Sequence, residues 1–280
     1  MSKKIYTYGT QQAVRNLTVA DIVAARSDGR RLVQTNAFST EEAAAAQEAQ
    51  LDMLVCRTER YDVVRAGAPE MFITAVLLMS SFQTTNDIIG GAVKYAGRGA
   101  DAVMTPRSPA VVEEIAREGI AVQGHVGLVP SLSTRLGGLR LVGKTAEEAL
   151  QVLDHMRRLE EAGAFGCEVE CVAADALAMI RKHTSLVLSS IGSGPEADVI
   201  FLFMSDLTGG TEQPPRHARA WGNLQSLQRQ MDTERRKALR AYRNEVVSGQ
   251  FPDASVSGFM AASERAKLAE LLDKRKPLHS

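Results

Sequence analysis

The chain has 280 residues, 45% of them hydrophobic, which suffices for a buried core in one large domain or two small ones. Lysine and arginine total 33, and aspartate and glutamate also total 33, so the formal net charge is zero. Proteins that bind nucleic acid or an anionic membrane surface usually carry clustered positive charge. The balance therefore argues against both partner classes and favours a small-molecule substrate.

Cysteine usage and the first residues indicate a cytoplasmic protein. Cys56, Cys167 and Cys171 are too few and too irregularly spaced for a disulfide framework or a zinc site. We expect them to be buried thiols in a reducing compartment. No apolar run follows the basic start MSKKIYTYGTQQ, so a signal peptide is not predicted, and no run is long enough to span a membrane.

Short apolar runs alternate with amphipathic segments along most of the chain. After a polar arm at 1–16, Thr18 is placed to begin a helix, and the charged stretch 57–70 is expected to be a loop. Strands are predicted at 31–37, 52–56, 71–78, 100–104, 120–123, 166–171, 185–191 and 198–204. Helices are predicted at 18–26, 41–50, 85–97, 109–117, 146–162 and 174–183.

This alternation predicts an α/β protein with a parallel sheet covered by helices. About eight such units within 17–213 favour a closed (β/α)₈ TIM barrel, and an open doubly wound sheet is the alternative. Residues 214–280 are strongly helical and charged, and we expect extra C-terminal helices that pack on the barrel or on a neighbouring subunit.

The stretch from Gly124 to Glu170 carries the strongest candidates for chemistry. In a barrel of this kind, functional residues lie at the C-terminal ends of strands. Glu168 and Glu170 alternate with Cys167, Val169 and Cys171, so both acids should point into the barrel. Burying a carboxylate is costly unless a cation or hydrogen bonds compensate. Glu170 is therefore a catalytic candidate, whereas Glu168 either binds substrate or pairs with an inward Arg or Lys.

His125 is the second catalytic candidate, because it follows a short predicted strand and a glycine and can exchange protons near neutral pH. The alternative is a loop histidine that is satisfied by backbone groups. Asp206 is either a helix cap or a functional acid, and 192–194 (GSG) is either a tight turn or an anion site. Dinucleotide, P-loop, zinc and nucleophile-elbow motifs are absent from the sequence.

From about residue 17 to 260, the sequence resembles the ketopantoate hydroxymethyltransferase family. The matching segments, in order, are LTVADIVAARSDGRRLVQTNAFS, GHVGLVP, LGG with VGKT, LEEAGAFGCEVECV, DLTGG and RAYRNEVVSGQFPD. The resemblance implies a (β/α)₈ barrel of the phosphoenolpyruvate mutase and isocitrate lyase superfamily. It also implies a ring-like homo-oligomer, a Mg²⁺-bound 2-oxoacid and methylene-tetrahydrofolate as the one-carbon donor.

The family's metal-binding segments are not matched. LVCRTERYD stands where the family has Val-Gly-Asp-Ser, Met79 stands at a second metal-linked Asp, and residues 104–106 (MTP) replace Lys-Leu-Glu. Of the matched functional positions, the resemblance retains His125 as a substrate contact and Glu170 as the general base. Because Mg²⁺ needs hard oxygen ligands, no metal ligand is predicted, and we expect ketopantoate synthesis to be weak or absent.

Three functional hypotheses follow. The favoured one is a divergent enzyme of aldol-type chemistry, a transferase or lyase, in which Arg57, Arg107 and Glu168 bind substrate in place of the metal. The second is a non-catalytic paralogue, which the methionine and proline replacements favour. The third is the family reaction with rearranged metal ligands, with Glu59 or Asp62 as candidates.

Overall fold

The computed structural model describes residues 2–275. Backbone contacts divide the chain between residues 223 and 224 into two compact units, each of which is described by itself. Within residues 2–275, every helix is too short or too polar to traverse a lipid bilayer.

The N-terminal segment, which the sequence predicted to be a polar arm, forms an antiparallel hairpin with strands β1 (Lys3–Tyr6) and β2 (Gln12–Arg15). The buried guanidinium of Arg15 donates to Asp101 Oδ1 at 2.6 Å and to the Pro69 carbonyl at 2.9 Å. These charge-assisted hydrogen bonds fix the hairpin to the loops that precede two barrel strands.

Eight parallel strands close into a barrel, which confirms the predicted (β/α)₈ architecture. They are β3 (Leu32–Asn36), β4 (Met53–Arg57), β5 (Phe72–Val76), β6 (Ala102–Met104), β7 (Val122–Gly127), β8 (Gly166–Glu170), β9 (Val187–Ile191) and β10 (Val199–Phe201). Each strand pairs with the next in sequence, and β10 pairs with β3 to complete the ring.

Helices alternate with the strands along the chain. They are α1 (Val19–Ser27), α2 (Thr40–Glu48), α3 (Tyr61–Gly67), α4 (Thr85–Gly97), α5 (Pro109–Arg117), α6 (Ala146–Glu161), α7 (Ala174–Ile180) and α8 (Met204–Leu207). Thr18, Ser39, Thr84 and Thr145 each accept a hydrogen bond from a first-turn backbone amide at a helix start. Local capping chemistry therefore sets where these helices begin.

Three local predictions were wrong. The stretch 57–70 contains α3, because Tyr61 and Val64 are buried at helical spacing between the charged residues. His125 lies within β7 and not in a loop after it, since that strand continues to Gly127. The last strand ends at Phe201, and the residues predicted to extend it lead into α8.

Side chains fill the barrel interior in layers. Apolar residues close the N-terminal end, namely Leu32, Met53, Phe72, Ala102, Val187 and Val199. Above them, Ser189 donates to Gln34 at 2.7 Å and Thr74 donates to Gln123 at 3.2 Å, so this layer is polar but hydrogen-bonded. The main core lies outside the ring, between strands and helices. The site is thus held at one end of a packed barrel.

The C-terminal unit consists of α9 (Leu224–Ser248), a 3₁₀ turn (Ala254–Val256) and α10 (Ala262–Asp273). These are the expected extra C-terminal helices. Neither helix contains a buried residue, and Leu227 and Met231 of α9 remain 51% and 57% exposed. The division into an arm at 1–16, a barrel domain at 17–213 and a C-terminal extension at 214–280 remains a prediction.

Gly127→Ala is expected to destabilise the barrel by about 2–4 kcal/mol. Gly127 has a φ of +84°, and an added Cβ would lie 2.3 Å from the Glu170 carbonyl oxygen. The matched control is Gly29→Ala, which has a similar φ of +67° but open space around the Cβ. It should cost only about 1 kcal/mol for the left-handed backbone. Urea unfolding of both variants measures the difference, and equal losses would contradict the contact argument.

Candidate functional site

A cavity of about 350 Å³ opens at the C-terminal ends of the strands, where barrel chemistry is expected. Its polar lining residues are Asn36, Arg57, His125, Ser131, Glu168 and Glu170. Its apolar wall includes Val55, Val76, Leu78, Met104, Phe201 and Phe203. The cavity therefore combines a small polar group with an apolar surface that suits an aliphatic substrate.

A larger cleft of about 750 Å³ lies at the opposite, N-terminal ends of the strands and includes Asp21 and Asp52. These two acids are paired with Lys3 and Arg30 respectively. Two further acids also line the cleft, namely Asp28 and Glu70. Because the loops that carry barrel chemistry are at the other end of the barrel, we assign the site to the smaller cavity.

Strand register brings the three titratable side chains of the site together. In the β7–β8 pair, His125 lies opposite Glu168 and Gly127 lies opposite Glu170. His125 Nε2 is 3.1 Å from Glu170 Oε2 and 3.8 Å from Glu168 Oε1. Glu168 and Glu170 therefore lie on the same face of β8, as predicted, and His125 of β7 lies on that face too.

The surroundings of the cluster shift the pKa values of His125 and Glu168. Burial lowers the pKa of His125, but the short contact with Glu170 and the charges of both acids outweigh it, so the pKa is raised. Burial raises the pKa of Glu168, and the charge of Glu170 raises it further against the opposing effect of His125. Burial and the neighbouring carboxylate therefore favour the protonated form of Glu168.

Within residues 2–275, no lysine or arginine forms an ion pair with Glu168 or Glu170, whose side chains are 13% and 17% exposed. The sequence had left open an ion pair between Glu168 and an inward-pointing Arg or Lys, and within residues 2–275 no such pair is formed. His125 Nε2 is buried and, despite the 3.1 Å separation, lacks a well-aligned hydrogen-bond partner. The hydrogen-bonding capacity of His125 Nε2 is therefore not fully used.

The two predicted arginines differ in position. Arg57, at the end of β4, lines the cavity, is exposed and lies 5.8 Å from the centre of the Phe38 ring. Arg107 is not among the lining residues; its guanidinium donates to the carbonyls of Phe82 and Gln83 at 2.7 and 2.9 Å. The structure therefore brings Arg57, but not Arg107, to the site with His125 and both acids.

The cavity lining also includes three residues that were not predicted from the sequence, namely Asn36, Phe38 and Ser131. Asn36 ends β3, and its Oδ1 accepts from the Met204 amide at 2.7 Å. The strand-end rule could have found Asn36, but nothing local marks the other two. Asp206 is a buried residue of α8 that accepts from Thr211, outside the cavity lining.

The positions at which the family resemblance implies Mg²⁺ ligands do not fit that ion. Met104 packs in an apolar cluster with Val76 and Phe201, and Met79 Sδ accepts from Ser131 Oγ at 3.5 Å. Thioethers and aliphatic groups are not ligands for a hard cation. The alternatives Glu59 and Asp62 contact Ser81 and Arg98 and are absent from the cavity lining.

Comparison with known sequences identifies the relatives. The family model described as ketopantoate hydroxymethyltransferase matches residues 57–254. The chain belongs to the ketopantoate hydroxymethyltransferase family. A 3-methyl-2-oxobutanoate hydroxymethyltransferase from Hyperthermus butylicus is 31% identical and covers 92% of this chain and 96% of its own. One from Pyrococcus furiosus is 35% identical, with coverage of 72% and 69%.

Solved structures support the fold of this ketopantoate hydroxymethyltransferase family member. A putative phosphonomutase from Burkholderia cenocepacia superposes with a TM-score of 0.52 at 12% identity, over 82% of this chain and all of its own. 2,3-Dimethylmalate lyase, of the PEP mutase/isocitrate lyase superfamily, gives 0.50 at 11% identity, with coverage of 92% and 96%. At these identities the likeness concerns the barrel alone.

Glu168→Gln is expected to stabilise the metal-free protein at pH 8 and to stabilise it less at pH 5. Because burial raises the pKa of Glu168 above its ordinary 4.5, the folded chain holds this proton more tightly than the unfolded chain. The contribution to stability is present below the unfolded pKa and is lost as pH rises through the folded pKa.

Urea unfolding in EDTA at both pH values measures this effect. Glu118→Gln, at an exposed glutamate at the end of α5, is the control and should show no such pH dependence. A stabilisation by Glu168→Gln that is equal at both pH values, or a destabilisation at pH 8, would contradict the raised pKa.

Proposed function

We propose that this chain is a divergent enzyme of the ketopantoate hydroxymethyltransferase family that acts on a small oxoacid or a related carboxylate. The reaction class is proton transfer next to a carbonyl, coupled to aldol-type formation or cleavage of a carbon–carbon bond. The main support is the contact between His125 and Glu170, whose Nε2 and Oε2 atoms are 3.1 Å apart beside the cavity.

In this proposal, Glu170 accepts a proton from the carbon next to the carbonyl. His125, with its raised pKa, donates a hydrogen bond to the substrate oxygen on which negative charge develops. Glu168 lies beside both and contacts the polar part of the substrate. The apolar wall excludes water, which strengthens these electrostatic interactions.

Arg57 supplies the charge that binds the substrate carboxylate, because a guanidinium can pair with a carboxylate through two parallel hydrogen bonds. It lines the cavity and forms no ion pair within residues 2–275. Arg107, the second predicted anion-binding residue, would first have to leave the carbonyls of Phe82 and Gln83. We therefore assign the substrate carboxylate to Arg57.

A second candidate is the reaction in the relatives' name, hydroxymethyl transfer to 3-methyl-2-oxobutanoate, with rearranged metal ligands. It is favoured by the full-length match to the Hyperthermus butylicus protein and by the clustering of His125, Glu168 and Glu170. We still expect ketopantoate synthesis in Mg²⁺ to be weak or absent. Tight calorimetric binding of 3-methyl-2-oxobutanoate with Mg²⁺ would favour this second candidate over the first.

We also propose that the protein is a cytoplasmic homo-oligomer. Its three cysteines are free thiols, of which Cys56 and Cys167 are buried, as expected in a reducing compartment. The exposed apolar side chains of α9 and α10 suit contact with a second copy of the chain.

Glu170→Gln should lower proton exchange at the carbon next to the carbonyl by about 10²–10⁴-fold. The measurement is loss of that proton's NMR signal in D₂O, using a panel of small 2-oxoacids that includes 3-methyl-2-oxobutanoate. Glu118→Gln is the matched control and should exchange at the wild-type rate. Absence of exchange by the wild-type chain on every oxoacid tested would favour a non-catalytic paralogue.

Arg57→Gln should raise the KM for the active oxoacid by about 10–100-fold, because a charge-assisted hydrogen bond to the carboxylate is lost. Arg60→Gln is the matched control, since Arg60 is an exposed arginine three positions along that does not line the cavity. Steady-state kinetics on both variants checks this expectation. An equal effect of the two substitutions would remove Arg57 from the binding role.

A further inference from the structure

We propose that His125, Glu168 and Glu170 form a binding site for one divalent first-row transition-metal ion, such as Mn²⁺, Fe²⁺ or Zn²⁺. The three side chains project from the adjacent strands β7 and β8 at the floor of the cavity. This position and donor set differ from the Mg²⁺ ligand positions that the family resemblance implies, which are apolar here or point elsewhere.

Distances in the cluster are close to those that a metal ion requires. Ligand atoms about 2.1 Å from a common ion lie about 3 Å apart when they occupy neighbouring coordination positions. Nε2 of His125 is 3.1 Å from Glu170 Oε2 and 3.8 Å from Glu168 Oε1, and all three donor atoms lie within 4.8 Å of one another. Small side-chain rotations would complete the set, while the strand backbone stays in place.

The donor chemistry selects the class of ion. One imidazole nitrogen with two carboxylates suits Mn²⁺, Fe²⁺ and Zn²⁺, whereas Mg²⁺ favours an all-oxygen shell. Three protein ligands leave further coordination positions open toward the cavity. Because a carboxylate can bind an ion through a single oxygen, Glu170 would keep its second oxygen for a substrate.

Two observations indicate that the cluster can accept a metal ion. First, His125 Nε2 is buried and has no aligned hydrogen-bond partner. Second, within residues 2–275 no lysine or arginine pairs with either acid, although both side chains are more than four-fifths buried. A divalent ion bound to neutral His125 would satisfy the nitrogen and offset the cost of burying the two carboxylates.

Titration of the metal-stripped full-length chain with Mn²⁺, followed by EPR and calorimetry, tests the site. We expect one Mn²⁺ per chain, bound at least about tenfold more tightly than Mg²⁺. Glu168→Gln and His125→Gln should each weaken binding by about tenfold or more, since each removes a direct ligand. Glu59→Gln and Asp62→Asn alter acids outside the cavity and should bind Mn²⁺ like the wild type.

Pulsed EPR of the wild-type complex gives a readout that does not depend on whether any variant folds. Bound Mn²⁺ should show magnetic coupling to an imidazole nitrogen. The inference is overturned if the wild type has no saturable site, if the nitrogen coupling is missing, or if folded Glu168→Gln and His125→Gln bind Mn²⁺ unchanged.

The inference rests on the residues of the proposed function but not on its reaction, because metal binding is measured without substrate. In an ion-bound form His125 Nε2 would be a ligand, so the hydrogen bond that the proposed function gives this residue belongs to the metal-free form. Stoichiometric Mn²⁺ binding without oxoacid proton exchange would sustain the metal site and refute the proposed function. Proton exchange by a chain with no saturable metal site would refute the metal site and sustain the proposed function.

Discussion

The pairing of β7 with β8 is the constraint on which the site depends. Its register sets His125 opposite Glu168, and the next pair sets Gly127 opposite Glu170. The Glu170 carbonyl accepts from the Leu128 amide at 2.8 Å, and the absent side chain of Gly127 leaves room for that carbonyl. Because the side-chain period of a strand is two residues, a slip of one position would turn the acids out of the barrel.

Two acids elsewhere in this barrel whose side chains are largely buried, Asp101 and Asp198, have arginine partners, unlike those of the site. Asp101 accepts from Arg15 and Arg65, and its second oxygen also accepts from the Ile73 amide. Asp198 is likewise surrounded by donors, which come from Arg26, Arg181 and the backbone amide of Leu188. Carboxylates that hold the fold together are thus neutralised by guanidinium groups and amides. Within the described chain, Glu168 and Glu170 have no guanidinium neighbour and contact only His125 among the basic side chains, which supports the proposal that they serve chemistry rather than packing.

Membership of the ketopantoate hydroxymethyltransferase family and the apolar rim of the cavity are compatible. Adjacent strands β7 and β8 carry His125 and Glu170. Met104 packs with Val76 and Phe201 in an apolar cluster that lines the same cavity. A polar pair on one side and an aliphatic wall on the other would orient a small oxoacid with its carboxylate toward Arg57. The proposed divergence from the family therefore concerns the surroundings of His125 and Glu170, where the cavity wall is apolar.

Much of the fold could be predicted from sequence because its signals are local. The alternation of apolar runs with capped amphipathic helices predicted the closed barrel, and helices α4 and α5 begin and end where their spacing predicted. Helix α3 was missed because it has only two buried residues, Tyr61 and Val64, and charged residues surround them in the sequence.

Strand alternation also predicted that Glu168 and Glu170 share a face, since this follows from backbone geometry within a few residues. Pairing between strands, however, was decided only by the tertiary structure. His125 and Glu168 are 43 positions apart, and their proximity depends on how far β7 extends and on its register. Likewise, the carbonyls of Phe82 and Gln83 determine where Arg107 points. The sequence alone determined the barrel and the inward face of the acids, because local backbone periodicity encodes both. Tertiary structure alone decided that His125 contacts Glu170 and that Arg57 rather than Arg107 lines the cavity, because contacts between distant segments leave no local pattern.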